Sequence, residues 1–375
     1  MRDVLAERLL AAVMKWTPED IASERPILEA LATFRYDEYQ QFSPGMRFIE
    51  SLALWLAQFN SDDERRCAYR FVRDSLVFIS SREMAHLVSV AFPDFIRPFL
   101  IRQAAIRLNT TERFVTRIAN LVGFKVLLRQ SLFLGLSDGA HIDLFRRSNP
   151  EEISHEQVWQ TYEVSDEKAQ DLLSKLNTNL EMSLGRKLTD IEKKFHIVFL
   201  LDDFSGSGLS YLRKEHNGSE CGGKIHKVLR KIYLEDSLNN LVNRDDLHVC
   251  IVLYVATEHA LGHLQESAQR WLQENNVRNQ CTVLAVQILP DTMGLDYAKD
   301  ADFIELLKKY FDPSIIDEHY RKGKHEEPHL GFDQCALPLV LSHNTPNNSI
   351  PLLWSYEDGK YRGLFPRVSR HRGEV

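Results

Sequence analysis

Apolar residues recur along this chain with two different periods, and the change from one to the other falls near residue 126. In "FSPGMRFIESLALWLAQF" Phe48, Ile49, Leu52, Trp55, Leu56 and Phe59 stand three and four apart, the spacing of one helix face, with Ser43 as the expected N-cap and Pro44 at the first helical position. "SDDERRCAYRFVRDSLVFI" opens on Ser61 with Glu64 three residues on, the capping-box spacing, ahead of a stripe through Tyr69, Val72, Leu76 and Ile79. "SREMAHLVSVAF" and "TERFVTRIANLVGF" continue the pattern without a repeat of fixed length. Residues 1–125 therefore predict an all-helical domain.

Beyond 126 short unbroken apolar runs take over. Ser131 to Leu136 reads as a strand running into Ser137, Asp138 and Gly139, and residues 154–185 read as a helix entered through "SHEQVW". "FHIVFLLDDF", "LHVCIVLYVA" (247–256) and "CTVLAVQIL" (281–289) show no polar alternation, as in strands covered on both faces of a parallel sheet. The amphipathic "TEHALGHLQESAQRWLQENN" separates the last two. Strand, helix, strand at this spacing predicts a doubly wound α/β domain over 126–375, with an irregular or short-stranded tail after 320 that is no domain of its own.

Charge and composition narrow the partners. A net charge of -7 argues against broad binding to a phosphate backbone, leaving room for a local basic patch. Five cysteines, Cys67, Cys221, Cys250, Cys281 and Cys335, never fall as C-x-x-C, which favours free thiols in a reducing cytoplasm and no structural zinc; Cys250 and Cys281 read as buried. No run approaches 18 uncharged apolar residues and the first residues form an amphipathic pattern without a cleavage site, so no membrane attachment is expected.

The candidate chemistry lies in "VFLLDDFSGSGLSYLR", Val198 to Arg213. In a parallel sheet, ligands bind beyond the carboxyl ends of the strands, where Asp202 and Asp203 stand. Ser205, Gly206, Ser207 and Gly208 then let amides converge on an anion, with Leu209 expected to open a helix whose dipole adds to the attraction, and Ser207 and Ser210 as hydroxyl donors. Acids do not favour a phosphate; they accept hydrogen bonds from vicinal sugar hydroxyls or from water on a metal. A phosphorylated ribose meets both demands.

This pattern resembles the signature of class I phosphoribosyltransferases: four apolar residues (Val198 to Leu201), two acids (Asp202, Asp203), a short pair, then Ser207 where Thr is usual, Gly208, and Ser210 for the closing Thr, with Leu209 in place of a frequent second Gly. With "RFIESLALWLAQF", "LSDGAHIDLFRRSNP" and "LPLVLSHNTPNNSIPLLW", the chain is similar to the phosphoribosyltransferase-like proteins of conflict systems (PRTase-CE) found in bacterial antiphage defence loci. The resemblance implies a type I phosphoribosyltransferase sheet and a ligand that is phosphoribosyl pyrophosphate or a nucleotide. It also implies Mg²⁺ carried by that ligand, a pyrophosphate loop after the first core strand built from Gly135, Asp138, Gly139 and Ala140, and Arg146 and Arg147 at the leaving group. The tail around "SHNTPNNS" would shape the base pocket. Activity would be glycosyl transfer at the anomeric carbon or its reverse. Because no general base stands out, a catalytically silent module that senses a nucleotide, its helical domain docking a protein or nucleoprotein partner, is the alternative.

Blander readings stand beside these. The acids also fit a Walker B strand end, but the nearest P-loop candidate, "GSECGGKI", has Ile225 where a hydroxyl belongs and no strand before it, so Gly222, Gly223 and Lys224 read as a turn into a helix. His259 and His263 share a helix face without a third ligand and read as surface histidines. Asn344, Asn347 and Asn348 suit turns, and Trp55 the core.

Overall fold

The computed structural model describes residues 3–162, 165–214, 221–235 and 238–368. Packing divides the chain into two compact units, Met1–Met84 with Asp291–Val375, and Ala85–Pro290.

The second unit is built on a five-stranded sheet: β1 (Ser131–Gly135), β2 (Val158–Gln160), β3 (Ile197–Ser205), β4 (His248–Thr257) and β5 (Gln280–Leu289). Spatial order is β2-β1-β3-β4-β5 and every neighbouring pair is parallel. Successive residues face opposite sides, and both sides are apolar. Leu132, Leu134, Val198, Leu200, Val249 and Ile251 join one core with α2 (Asp166–Leu184), α3 (Lys224–Tyr233) and α4 (Glu258–Glu274). On the other face Phe133 stacks on Phe199 with centroids 4.9 Å apart, and Phe92, Phe99 and Phe145 pack edge-on or tilted against them, Phe145 from α1 (Ile142–Arg147). Two covered faces explain the uninterrupted apolar runs.

Differences from the sequence reading have local causes. Residues 154–162 do not start the helix, which opens at Asp166: Ser154 and Gln157 form their capping box around a single 3-10 turn, and Val158–Gln160 then supplies an edge strand too short to show a period. The helical run Ser81–Arg107 holds a π-turn at Ala91–Ile96 containing Pro93, which has no N–H to donate. This run is long and apolar enough to cross a membrane by composition, with mean hydropathy 1.3 in its best window, yet 44% of that window is buried within the fold, as in a core helix.

In the first unit the helix expected from Ser43 begins at Phe48 instead, because Gly45 adopts a left-handed φ of 86° and the Asp37 carboxylate takes the Phe48 amide at 2.8 Å. The Ser61–Glu64 capping box does open the helix Asp62–Asp74. The tail, made of 3-10 turns, the strand Leu339–Leu341 and the helix Pro351–Trp354, completes a core begun by the N-terminal helices. Trp55 is fully buried and donates from Nε1 to the Leu352 carbonyl at 2.9 Å, while Phe48, Tyr36 and Phe78 surround Phe365. The units of packing are thus drawn differently from the change of texture at 125/126: the tail closes the apolar faces of residues 48–72, and helices from Ala85 onward cover the sheet. Asn348 donates to the Phe332 carbonyl and Asn344 accepts from Gln41, so both side chains hold turns of this unit.

Candidate functional site

The chain leaves β1 toward β2 on one side and leaves β3 toward β4 on the other, so the sheet's switch point lies between the carboxyl ends of β1 and β3. Those two ends carry the segments 135–140 and 202–210. Asp203 joins them: a Cβ added to Gly139 would fall 2.6 Å from Asp203 Oδ2, so the carboxylate occupies the space a side chain at 139 would need. Gly139 is required there by close approach rather than by backbone twist.

The bend after β3 is tightly built. Ser205 and Ser207 are buried. Ser205 Oγ accepts from the Gly208 amide at 3.1 Å, and Thr257, the N-cap of α4, donates from Oγ1 to the Gly206 carbonyl at 2.7 Å. Gly208 has a left-handed φ of 80°, and a Cβ there would meet His263 Cδ2 at 2.7 Å and Leu264 at 3.1 Å. Among the described residues the amides of Gly206, Ser207 and Ser210 meet no protein acceptor. Gly206 and Ser207 are buried, Ser210 is half-buried, and Ser207 Oγ accepts from the Leu209 amide at 3.4 Å.

One expected feature is absent. No helix starts at Leu209: Tyr211 and Leu212 turn back onto the Gly208 carbonyl, both are buried, and Arg213–Lys214 pairs antiparallel with Cys221–Gly222 before α3 begins at Lys224. Burying Tyr211, whose hydroxyl donates to the Phe204 carbonyl at 2.7 Å, takes the place of helix formation. The first amides of α3 are spent as well, Lys224 on the Ser210 carbonyl and Ile225 on that of Tyr211. An anion at the bend meets no helix dipole from this segment. Among the described residues no strand of the central sheet leads into "GGK", so the P-loop context is not found; Gly218 to Glu220 of that stretch lie outside the described residues.

The two acids differ. Asp202 is 0% exposed, and both oxygens are taken: Oδ1 accepts from Ser137 Oγ, and Oδ2 pairs with Lys224 Nζ at 2.7 Å. Burial, then the neighbouring Asp203 charge, push the Asp202 carboxyl up from its ordinary value, while Lys224 and Ser137 oppose the rise. Asp203 is half-buried, and its Oδ1 accepts from the Phe204 amide at 2.8 Å. The phenols of Tyr211 and Tyr254, both buried and both near the acids, are pushed well up and stay protonated; Tyr254 donates to the Ala140 carbonyl at 2.7 Å, fixing the first loop.

The remaining candidates fall as follows. Gly135 ends β1, where its missing side chain makes room for the Gln160 amide, 2.4 Å from an added Cβ. Asp138 is exposed and accepts from the Tyr162 hydroxyl at 2.8 Å. Arg146 pairs with Asp143 at 2.8 Å and lines a cavity of about 480 Å³ with Trp159, Gln160, Tyr162 and Lys168 at the β2 edge; Arg147 is exposed. Neither arginine contacts the acid pair. A cavity of about 1040 Å³ lies elsewhere, around Arg129 and α2.

The sequence reading gave no site role to Ser137, Tyr211, Lys224, Thr257 or His263. Lys224 carried a signal, a cation directly after two glycines. His263 is no simple surface histidine: it is half-buried with Nε2 2.8 Å from the Leu212 carbonyl. No group of three metal-ligating side chains forms among the described residues, and all five cysteines are free, Cys250 and Cys281 buried.

The site is thus a parallel α/β switch point at which a small-residue loop meets an acid-acid-Phe-Ser-Gly bend. The comparison with known families places it more closely. Residues 52–367 match the family model PRTase-CE, and the chain belongs to that family of phosphoribosyltransferase-like proteins. No curated protein and no solved structure matches it.

Proposed function

We propose that the bend at 203–210 binds a phosphoribosyl ligand, phosphoribosyl pyrophosphate or a nucleotide, and that the protein is a cytoplasmic glycosyltransferase or nucleotide-degrading effector in bacterial antiphage defence. The observation that carries this is the contact of Asp203 with Gly139, which brings the acid end of β3 and the loop after β1 to one switch point. The Gly206, Ser207 and Ser210 amides and the two serine hydroxyls hold the 5′-phosphate; Asp203, the half-exposed acid, accepts from the ribose diol. The 135–140 loop faces the pyrophosphate side, and Arg146 and Arg147 reach it only by leaving their present positions. Mg²⁺ arrives with the ligand: with no three-ligand cluster among the described residues, the fit is to an ion held by substrate oxygens and water, with Asp203 as the one half-exposed carboxylate at hand. Such an ion offsets negative charge on the leaving pyrophosphate.

Release of pyrophosphate, or loss of nucleotide, is measured with Mg²⁺ present. Turnover that disappears in Asp203→Asn supports the reading, and unchanged turnover in that variant rejects it. A second reading, a silent sensor, is favoured by Asp202: a fully buried acid held by Ser137 and Lys224 presents no exposed oxygen to a substrate. That reading predicts a ligand-dependent rise in melting temperature without turnover. The role in defence is checked by phage plaquing on cells carrying the wild-type gene or the Asp203→Asn gene in its native locus.

A further inference from the structure

We infer that the helical surface between Arg97 and Arg129 is a docking site for an acidic, amphipathic segment of a partner protein. In a chain of net charge -7, this stretch carries seven Lys and Arg residues and one acid, Glu112. Two of the cations are engaged, Arg97 with Glu152 at 3.3 Å and Arg107 with Asp246 at 3.0 Å. Arg102, Arg113, Arg117 and Lys125 are exposed and form no ion pair among the described residues.

Exposed apolar side chains concentrate in the same place. Ile106 is 72% exposed, Val122 59% and Phe114 51%, with Leu108, Val115 and Leu121 also open to solvent. They form one neighbourhood: the helices Arg97–Arg107, Val115–Asn120 and Val122–Arg129 pack on one another, and a Cβ on Gly123 would touch Leu108 at 3.1 Å. Scattered single hydrophobics are normal on a surface, but a cluster of this kind rimmed by charge marks an interaction site. Its floor continues into the cavity of about 1040 Å³, which Val122, Lys125, Phe124, Leu128, Arg129 and Lys175 line together with three acids, Glu151, Glu156 and Glu152, the last paired with Arg97. Inside it Arg129 donates from Nε to Asn179 at 3.1 Å while its Nη1 is buried without a partner among the described residues, a donor left for an anion once the cavity is filled.

Occupancy follows from these features together. Unpaired cations call for acids, and aliphatic side chains beside a concave floor call for apolar anchors on the same ligand, which is the surface an amphipathic acidic helix presents. A single-stranded nucleic acid would stack on aromatic rings, and Phe114 is the one aromatic residue among the exposed hydrophobics here. A bilayer is flat and does not enter a cavity. The surface lies at the amino-terminal edge of the sheet, since Arg107 holds Asp246 two residues before β4 and the Val122–Arg129 helix leads directly into β1. A partner bound there leaves the bend at 203–210 uncovered.

The test uses the full chain and a fluorescent twenty-residue probe peptide with Leu at helical spacing and Glu elsewhere, read by anisotropy. Beside it run the same peptide with Lys for Glu, a single-stranded RNA of equal charge, and vesicles of phosphatidylglycerol and phosphatidylcholine. The acidic peptide is expected to bind, the Lys peptide not to bind, and salt to weaken the complex. Arg113→Glu with Arg117→Glu is expected to weaken binding about tenfold, roughly the loss of two exposed charge contacts, and Ile106→Ser with Val122→Ser to weaken it with both charges intact. All four positions are exposed, so unchanged melting curves are expected and are checked. Equal binding of the two peptides, tighter binding of RNA or vesicles than of the acidic peptide, or indifference to both double variants overturns the proposal.

Discussion

The bend at 202–210 and the surface from Arg97 to Arg129 lie at opposite ends of the same sheet and handle polar groups in opposite ways. At the bend the buried acid and the framing hydroxyls are matched inside the protein, Asp202 to Ser137 and Lys224, Ser205 to Gly208 and Thr257 to Gly206, while the Gly206, Ser207 and Ser210 amides meet no acceptor among the described residues. On the helical surface four cations and six large apolar side chains face solvent unmatched. A buried polar group without a partner costs about 1–3 kcal/mol, so the bend has to be preorganised, whereas exposed groups wait at little cost. Preorganisation suits a small rigid ligand, and a waiting surface suits a macromolecule.

The largest expected effect breaks the matched end. Lys224→Met leaves Asp202 buried and unpaired and is expected to cost about 3 kcal/mol, seen as a lowered midpoint in urea; adding Asp202→Asn should restore most of it, and an additive double variant would show that the pair is not coupled. Next is a pH effect from the amino-terminal end of the sheet. His248 is buried beside the Phe99 ring and Thr282, with Arg107 and Asp246 nearby, and burial first, then Arg107, lower its pKa to about 4; His196 is lowered for the same reasons. A folded pKa below the unfolded one means that stability is full above about pH 6.5 and is lost as pH falls toward 4, by about 3 kcal/mol for His248. His248→Asn should flatten that slope in urea titrations between pH 7 and 4. A smaller change is expected for Gly139→Ala. Its backbone is unstrained, so the free protein should melt within a degree or two of wild type, but the new methyl displaces Asp203 and phosphoribosyl ligands should bind at least about tenfold more weakly. Equal loss of stability and binding would mean that Gly139 serves packing alone.

The sequence showed the sheet more clearly than its edges. β1, β3 and β4 were legible because burial on both faces leaves long apolar runs, β5 because its run is apolar although this edge strand is only partly buried, and the helix from Asp62 because its capping box is local. β2 was not, since three residues carry no period. The false helix starts at Ser43 and Leu209 share a cause: the capping pattern is overridden by nearby contacts it does not contain, the Asp37 carboxylate for the first and the burial of Tyr211 and Leu212 for the second. At the site, the acids and small residues were visible as a motif, but the unequal fates of Asp202 and Asp203 depend on Lys224 and Ser137, which are far from them along the chain. The exposed cations were legible only as a possibility within an acidic total, because exposure is a property of the fold.

The central claim is that Asp203 and the amides beyond it hold a phosphoribosyl group. Calorimetric titration of the full chain with phosphoribosyl pyrophosphate and Mg²⁺ tests it most directly. One saturable site is predicted, weakened between about tenfold and a hundredfold by Asp203→Asn, the worth of a hydrogen bond to a charged group. Absence of binding in the wild type, or identical affinity in the variant, would contradict it.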